Sequence, residues 1–459
     1  DTSGPAILPL PQGGPVTIDF TTDGGMKPGL AVYRTDVTPP RLVAVLPVAP
    51  GATSTTWDGT ARGRSVGPGV YLVAIRTSDP AGNLGATPAG AADPAHPDAA
   101  PATLPPRSAT GAVIAGHAGI TVRYLGVEPP TVPVAQDAPL VFGIDARRAG
   151  YAWSVTRVGA RRPREQATGA QPLLRIAPPG GTAGAYVLAV RTRTRQTAVP
   201  FVVAGPAPQR VLVVLPAITW LGEDPLDDDG DGQANLLGYG DAVRTDRVFA
   251  GSGLPAGFAD RIAPVLAFAD REHLRYDLTT DLALARGQGP ALPGHAGVLL
   301  VGDERWLPSS ELARLRAYVR GGGHLASLGV DSLRRTVTLA GDVLRDPSGP
   351  AAADAFGARL AGVAPAAGPI TDYLDRVGLF TGGTGQFTGY PDYEATESVG
   401  PGAELVASAV TTDGRPVIVA VRIGRGLVVR TGLPELGARL GSDPAAAALL
   451  RRIWALLSS

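Results

Sequence analysis

The hydrophobic pattern of this chain changes once, close to Pro206, and this change limits the folds that the chain can adopt. Before it, short β-branched runs such as 16–20 and 70–75 alternate with turn residues, which is typical of all-β sandwiches. After it, continuous apolar runs such as 211–215 alternate with segments of helical periodicity. The second pattern predicts an α/β domain with a mostly parallel sheet that is covered on both faces.

The 459 residues are enough for about three domains. We predict a first β-sandwich over 1–85, a second over 107–205 and the α/β domain over 209–459. Residues 86–106 are rich in Ala and Pro and contain almost no large apolar side chain. This segment is therefore expected to be a semi-stiff linker or to wrap over a neighbouring domain.

Charge and composition exclude several classes of function. Lys and Arg number 41 and Asp and Glu number 41, so no global field attracts nucleic acid, and we expect none as a partner. The absence of cysteine excludes disulfides and thiolate chemistry. No 18-residue apolar run is present, so no transmembrane segment is expected. The polar start at Asp1 is what removal of a signal peptide or anchor would leave, so we expect a secreted or extracytoplasmic, cell-surface protein. The expected partner is a small molecule or a cell-envelope component.

The first β segment carries a recognisable set of turns and aromatic residues. Trp57-Asp58-Gly59-Thr60 is followed by a Gly-Pro-Gly turn at 67–69 and a strand that contains Tyr71. This stretch resembles the Ig-like module of flagellar hook-capping proteins. The resemblance, over about 50 residues, implies an Ig-like fold for the first sandwich, and with the strand pattern of 107–205 we expect two all-β Ig-like sandwiches in tandem. Trp57 and Tyr71 are expected in the core of the first; a ligand-binding role for Trp57 is the alternative.

The α/β segment carries a motif at the end of a buried strand. The strand 297–302 runs into Asp303-Glu304-Arg305-Trp306, and a capped helix and a Gly-Gly-Gly strand entry follow. This order of elements is similar to the C-terminal half of the N,N-dimethylformamidase large-subunit family, over about 184–334. The resemblance implies a three-layer fold like that of class I glutamine amidotransferases.

The same resemblance implies a metal-dependent hydrolase of amide C–N bonds. Its Fe³⁺ would be held by two tyrosinates and by the glutamate that matches Glu304, with Asp303 also at the catalytic site. This chain departs from the family pattern, because the motif lacks its His and Tyr and the family tyrosine after Thr219-Trp220 is missing. Tyr239 is the remaining candidate ligand. A capping or salt-bridging role for Glu304 is the alternative.

A cleft at the carboxyl ends of the strands is the expected place for a ligand. Glu304, Asp303, Tyr239 and the segment that begins at Asp227 are expected there. Trp220, Trp306 and His324 are the further candidate cleft residues.

Asp227, Asp229 and Asp231 alternate along a glycine-containing loop. Alternate carboxylates that point inward are what a Ca²⁺ loop requires, so we predict a possible calcium site. Position 12 of this loop is Gly238 instead of Glu, which excludes an EF-hand. A solvated acidic loop is the alternative.

The arginines between the strands of the second β segment form a local basic cluster: Arg147, Arg148, Arg161, Arg162 and Arg164. A solvated loop and an anion site are both compatible with this cluster.

Two functional hypotheses remain, and whether the chain is an enzyme stays open. In the first, the dimethylformamidase-like domain has diverged, is non-catalytic and acts in binding or envelope interaction. In the second, the chain is a metal-dependent amide hydrolase. The lost tyrosine favours the first hypothesis, because it removes a metal ligand while the β segments add binding surface.

Overall fold

The computed structural model describes residues 6–8, 15–22, 26–107, 118–147, 149–177, 182–206 and 208–459. The chain is multidomain and mostly β, with several separate sheets. No helix in the described ranges is both long and apolar enough to span a membrane.

The first module is built on a sheet with the order β1-β10-β8-β3-β4, to which β9 is added through β8. Its strands are β1 (Ala6–Leu8), β2 (Val16–Asp19), β3 (Lys27–Arg34), β4 (Arg41–Leu46), β5 (Ser54–Trp57), β6 (Thr60–Ala61), β7 (Arg64–Ser65), β8 (Gly69–Ser78), β9 (Leu84–Thr87) and β10 (Gly119–Val122). The β2–β5 pair packs on one face of this sheet, and Trp57 and Tyr71 lie in the core between them. Both aromatic residues therefore have the core role expected from the sequence.

The segment 86–106 covers the other face of the first sheet. Ala91 and Leu104 are buried against Tyr33 and Leu72, and the Tyr33 hydroxyl donates a hydrogen bond to the Pro101 carbonyl (3.0 Å). Of the two expectations for this segment, wrapping over a neighbour is the one observed.

Strand β10 lies in the first sheet, not in the second module where the sequence pattern placed it. Residues 119–122 pair antiparallel with β8, from Gly119 opposite Leu72 to Val122 opposite Gly69. The local apolar pattern predicts a strand but not its partner, and the partner is set here by a contact across about 50 residues of sequence.

The second module consists of two sheets, β11-β13-β16 and β12-β18-β17-β14-β15. Its strands are β11 (Gly126–Glu128), β12 (Val134–Ala135), β13 (Leu140–Asp145), β14 (Tyr151–Arg157), β15 (Glu165–Gly169), β16 (Leu173–Ile176), β17 (Gly184–Arg191) and β18 (Gln196–Ala204). Alternate residues of these strands point inward, so that Phe142, Trp153, Tyr186 and Phe201 fill the space between the sheets.

The third part contains a nine-stranded sheet with the order β21-β19-β22-β24-β36-β35-β34-β30-β31. Its strands are β19 (Val211–Leu215), β21 (Tyr276–Thr280), β22 (Gly297–Leu300), β24 (His324–Ser327), β30 (Ile370–Asp375), β31 (Gln386–Phe387), β34 (Ala403–Val410), β35 (Pro416–Ile423) and β36 (Gly426–Arg430). Four of the eight pairings are parallel and four are antiparallel, so the sheet is mixed rather than mostly parallel. The difference arises because the hairpins after residue 369 continue the same sheet.

Helices cover both faces of the parallel half of this sheet. They are α1 (Ala217–Glu223), α2 (Ala263–Arg271), α3 (Asp281–Arg286), α4 (Ser309–Arg320), α5 (Leu436–Arg439) and α6 (Pro444–Leu457). Helices α2, α5 and α6 belong to one core layer and α3 and α4 to the other. The segment 346–400, which the sequence did not resolve into elements, forms short strand pairs beside the sheet and contributes β30 and β31 to it.

Short strands outside the main sheets complete the third part: β20 (Val243–Arg244), β23 (Trp306–Leu307), β25 (Arg335–Thr336), β26 (Thr338–Ala340), β27 (Val343–Arg345), β28 (Arg359–Leu360), β29 (Ala364–Pro365), β32 (Asp392–Tyr393) and β33 (Thr396–Ser398).

Candidate functional site

The carboxyl ends of β19, β22 and β24 meet at one edge of the mixed sheet, where a small cleft opens. Thr219 and Trp220 of α1, Arg261 before α2 and Asp303 after β22 line it. The free space is about 40 Å³, which is enough for a few water molecules but not for an extended ligand. Asp303 and Trp220 therefore lie at the edge where the sequence predicted them.

Arg305 links the carboxylates of this cleft. Its guanidinium pairs with Glu223 and lies 3.5 Å from Asp303 Oδ2 and 4.0 Å from Asp331 Oδ2. Arg261 Nη1 is also 3.5 Å from Asp303 Oδ2. Since each of these carboxylates already has an arginine partner, the cleft is a charge-compensated network and not an open acidic site.

Glu394 joins this network from the 346–400 segment. Its Oε1 accepts a hydrogen bond from the Asp331 backbone N–H (2.8 Å). Burial raises the pKa of the Glu394 carboxyl to about 7. Sequence reasoning missed Glu394, because its contact with the cleft spans 63 residues and no local motif marks it.

Glu304 does not line the cleft. It is 0% exposed, and neither carboxyl oxygen has a hydrogen-bond partner among the described residues. Burial, together with the nearby carboxylates of Asp281 and Asp303, raises the pKa of Glu304 well above its usual range. Burial therefore favours the uncharged form of the Glu304 carboxyl, and the expectation that it projects into an open crevice is wrong.

A second buried acid lies beside Glu304 and was also missed. Asp281 is 1% exposed, and its Oδ1 accepts hydrogen bonds from the backbone N–H groups of Ile218 (3.0 Å) and Leu282 (2.7 Å). Burial raises the pKa of Asp281 to about 8 in spite of these bonds. The sequence signal was the Thr280-Asp281 pair at the start of α3, where Thr280 caps the helix through Ala283 N–H.

Three other predicted residues lie away from the cleft. The Tyr239 ring faces Arg107, whose Cζ is 5.7 Å from the ring centroid. Trp306 is 4% exposed and packs in the core layer of α3 and α4. His324 is the first residue of β24, which places it at the amino edge of the sheet, because a strand's first residue lies opposite its carboxyl end.

No tyrosine hydroxyl forms a hydrogen bond with Glu304 in the described part of the chain. Eight of the eleven tyrosine hydroxyls donate hydrogen bonds to other groups: Tyr33, Tyr71, Tyr124, Tyr151, Tyr186, Tyr276, Tyr318 and Tyr390. Of the other three, Tyr239 faces Arg107, Tyr373 is 81% exposed and Tyr393 lies in the 346–400 segment. A fully buried carboxyl that has no hydrogen bond to a tyrosine does not match a site in which Fe³⁺ is held by two tyrosinates and a glutamate. Iron ligation by Glu304 and Tyr239 thus does not fit this arrangement.

The Asp227 loop brings three carboxylates together. One ligand atom from each of Asp227, Asp229 and Asp231 lies within 4.8 Å of the others. Asp227 accepts hydrogen bonds from Gly230 N–H (2.6 Å) and Gly232 N–H (2.9 Å), which curl the loop around its side chain. Burial, followed by the charges of the other two carboxylates, raises the pKa of Asp227 to about 7.

This loop packs on the first module instead of lining the cleft. Gly119 N–H donates to the Gly230 carbonyl (2.8 Å), and the Thr35 hydroxyl donates to the Gly232 carbonyl (2.6 Å). The loop therefore joins the first module to the third part of the chain.

No curated protein matches this chain. Among solved structures, it is similar to an exo-β-1,4-mannosidase from Opitutaceae bacterium strain TAV5, with 14% identity, a TM-score of 0.32 and coverage of 55% of this chain and 36% of that one. It is also similar to a β-galactosidase from Bacillus circulans sp. alkalophilus, with 11% identity and a TM-score of 0.31. That match covers 53% of this chain and 30% of the β-galactosidase.

The chain thus spans about a third of the length of these two enzymes. At these identities and TM-scores, the two similarities support no conclusion about fold or activity. The family model described as N,N-dimethylformamidase beta subunit-like, C-terminal, matches residues 164–349, which include β22, Asp303 and Glu304. This part of the chain is therefore dimethylformamidase-like.

Proposed function

We propose that this chain is a secreted or surface-exposed protein whose dimethylformamidase-like domain is non-catalytic and binds a small molecule or a cell-envelope component. The observation that carries the proposal is the burial of Glu304, which is 0% exposed and has no hydrogen-bond partner for its carboxyl oxygens among the described residues.

An iron-dependent amide hydrolase needs an ionised glutamate that reaches a metal in contact with substrate. In this chain the residue that corresponds to that ligand is closed off from solvent, and Arg305 and Arg261 neutralise the carboxylates that do reach the cleft. These two features support binding over hydrolysis. The alternative, a metal-dependent amide hydrolase, rests on the family match over 164–349.

The finer architecture is part of the same proposal. Five adjacent parallel strands with helices on both faces support a glutamine-amidotransferase-like arrangement for 209–459. The sheets that pack around Trp57 support an Ig-like first module.

The proposal also assigns Ca²⁺ to the Asp227 loop. Three carboxylates whose ligand atoms lie within 4.8 Å of one another, on a loop curled by glycines, offer the oxygen donors that this cation prefers. Because the loop contacts Gly119 and Thr35, the ion would stabilise the junction between the first module and the rest of the chain.

The test is metal analysis and an assay of formamide hydrolysis on the purified chain and on Glu304→Gln. Exposed Glu404, which is paired with Arg376, gives the matched control Glu404→Gln. We expect no stoichiometric iron and no hydrolysis in the wild type or in either variant. A tyrosinate–iron absorption band that disappears in Glu304→Gln but persists in Glu404→Gln, with both proteins folded, would support the hydrolase instead.

A further inference from the structure

The second module carries an uneven charge that the zero net charge of the chain hides. Residues 107–205 contain 12 arginines and four acidic residues, so this segment has a net charge of +8 and the remainder has −8. Seven exposed arginines form no ion pair through their guanidinium groups with any described residue: Arg161, Arg162, Arg164, Arg175, Arg191, Arg193 and Arg195. Arg148 of the predicted basic cluster lies outside the described residues. Unpaired arginines on one module make it a site of positive potential.

An open groove runs over the outer face of the sheet that contains β14, β15, β17 and β18. It consists of two adjoining cavities of about 650 and 820 Å³, which share Ala152, Thr168 and Arg191. Both volumes are in the range of ligand sites. The groove is far larger than the cleft beside Asp303.

Small side chains produce this groove. Strand alternation buries Trp153 and Val155 in the core of the module and points Ala152 and Ser154 outward. On the neighbouring strand β17, Ala189 occupies an equivalent outward position. Because these outward residues are small, the sheet surface is a depression and not a flat face.

The wall of the groove comes from the third part of the chain. The Ser252 carbonyl accepts hydrogen bonds from Ala198 N–H (2.9 Å) and from the Thr197 hydroxyl (3.0 Å). Gly253 is pressed against the same strand, since a Cβ there would lie 2.3 Å from Thr197 Oγ1. The wall is thus held against β18 and does not depend on a ligand for its position.

The groove offers both neutral and cationic hydrogen-bonding groups. Gln166, Thr168 and Gln196 are exposed along it and supply amide and hydroxyl donors and acceptors. Arg191 and Arg193 line its second cavity. An arginine can bind a carboxylate through two parallel hydrogen bonds, so this end of the groove is suited to anions.

We propose that this groove binds an acidic polysaccharide, a chain of hexuronate units. Its carboxylates would pair with Arg191 and Arg193, and its hydroxyls would bond to Gln166, Thr168 and Gln196. The two cavities share lining residues and so form one continuous groove, which suits an extended polymer. The mixture of neutral and cationic donors suits a ligand that carries both hydroxyls and carboxylates.

Two other classes of partner, single-stranded nucleic acid and protein, match the groove less well. Binders of single-stranded nucleic acid stack bases on aromatic side chains, whereas the aromatic residues of this groove, Tyr151 and Trp153, belong to the core of the module. Protein partners are held by buried apolar or aromatic anchors, whereas the outward strand positions here, apart from Arg191 and Arg193, are Ala, Ser, Thr and Gln.

The experiment measures binding of the full chain to oligogalacturonate by calorimetry, with the fully methyl-esterified oligosaccharide as a neutral comparison. We expect binding of the charged oligosaccharide only, and a loss of about tenfold or more in Arg191→Ala/Arg193→Ala. Arg175→Ala is the matched control, because Arg175 is exposed on β16 in the opposite sheet of the same module. Thr168→Glu should also abolish binding, whereas Thr168→Gln should preserve it.

Equal loss in the Arg175 control would overturn the proposal, as would equal binding of the methyl ester. Tighter binding of polyglutamate or of a single-stranded oligonucleotide would assign the groove to another class of polyanion and would also overturn it. The test is independent of the proposed function, because Glu304→Gln should leave oligogalacturonate affinity unchanged whether or not the third part of the chain is catalytic.

Discussion

Glu304 and Asp281 lie close enough for Asp281 to add to the effect of burial in raising the pKa of the Glu304 carboxyl, although Asp281 follows β21 and Glu304 follows β22, two strands apart in the sheet. Both residues are buried, and burial raises the pKa of each carboxyl, that of Asp281 to about 8. In the unfolded chain the same groups ionise near pH 4. Folding is therefore coupled to proton uptake by these two acids.

This coupling determines whether the stability of the fold rises or falls with pH. A group whose pKa is raised by folding contributes stability that is complete below its unfolded pKa and is lost as the pH rises through its folded pKa. Stability should therefore fall between about pH 4 and pH 8, where Asp281 titrates in the folded state. We expect Glu304→Gln, which is neutral at every pH, to unfold at a higher temperature at pH 7 and to show a flatter dependence of the melting temperature on pH.

The matched measurement is the same pH series on Glu404→Gln, whose side chain is exposed. That variant should follow the wild-type curve. Strong destabilisation of Glu304→Gln at pH 7 would mean that the carboxyl is ionised and has a charged partner in the folded protein, and would contradict this prediction.

The buried ion pair between Arg430 and Asp354 anchors the 346–400 segment to the end of β36. Burial lowers the pKa of Arg430 to about 10, yet the residue still carries its charge at neutral pH. Asp354→Asn keeps the acceptor for Phe356 N–H and Ala358 N–H but leaves this charge unpaired. We expect a loss of about 3 kcal/mol in the free energy of unfolding, measured with urea.

The double variant Asp354→Asn/Arg430→Met removes the stranded charge and should recover part of this loss. Asp346→Asn is the control, because the pair of Asp346 with Arg345 is exposed; it should change stability by less than about 0.5 kcal/mol. If Asp354→Asn and Asp346→Asn had the same effect, the ion pair would not be the anchor.

The sequence alone predicted those elements and positions that periodicity and local motifs encode. The helix expected from Ser309 and the buried strands at 211–215 and 324–327 are present, because each follows from a local apolar pattern. The position of Asp303 at the carboxyl edge followed from its place directly after a strand. None of these predictions needed a long-range contact.

The features that were missed all depend on long-range contacts. Strand β10 was placed in the wrong module, Glu394 was not connected to Asp331, and Glu304 was expected to be open to solvent. Local pattern gives no measure of how deeply a strand-end residue is covered by later segments. Burial of Glu304 is a property of the assembled layers and not of its motif.

Calcium should stabilise the chain through the Asp227 loop, and increasingly so at higher pH. Without the ion the pKa of Asp227 is raised to about 7, so the ion must displace a proton below that pH. We expect the rise in melting temperature on addition of CaCl₂ to be larger at pH 8 than at pH 6. Asp229→Asn should reduce the rise, and Asp246→Asn, outside the cluster, should not.

Equal stabilisation of the wild type and Asp229→Asn by calcium, followed by differential scanning fluorimetry, would place the ion elsewhere. No stabilisation of the wild type at either pH would identify the loop as a solvated acidic turn.

The close approach of Gly119 to the Asp227 loop makes the junction of the first module sensitive to a single methyl group. A Cβ at Gly119 would lie 2.3 Å from Asp227 Oδ2 and 2.5 Å from Gly232 N. Both neighbours are held by the hydrogen bonds that curl the loop, so neither can move without breaking one of them. We expect Gly119→Ala to lower the free energy of unfolding by about 1–3 kcal/mol.

Gly238→Ala is the control, because a Cβ at Gly238 meets nothing within 4 Å, and its unfolding curve in urea should match that of the wild type. A Gly119→Ala protein as stable as this control would mean that the first module does not rest on the loop in solution.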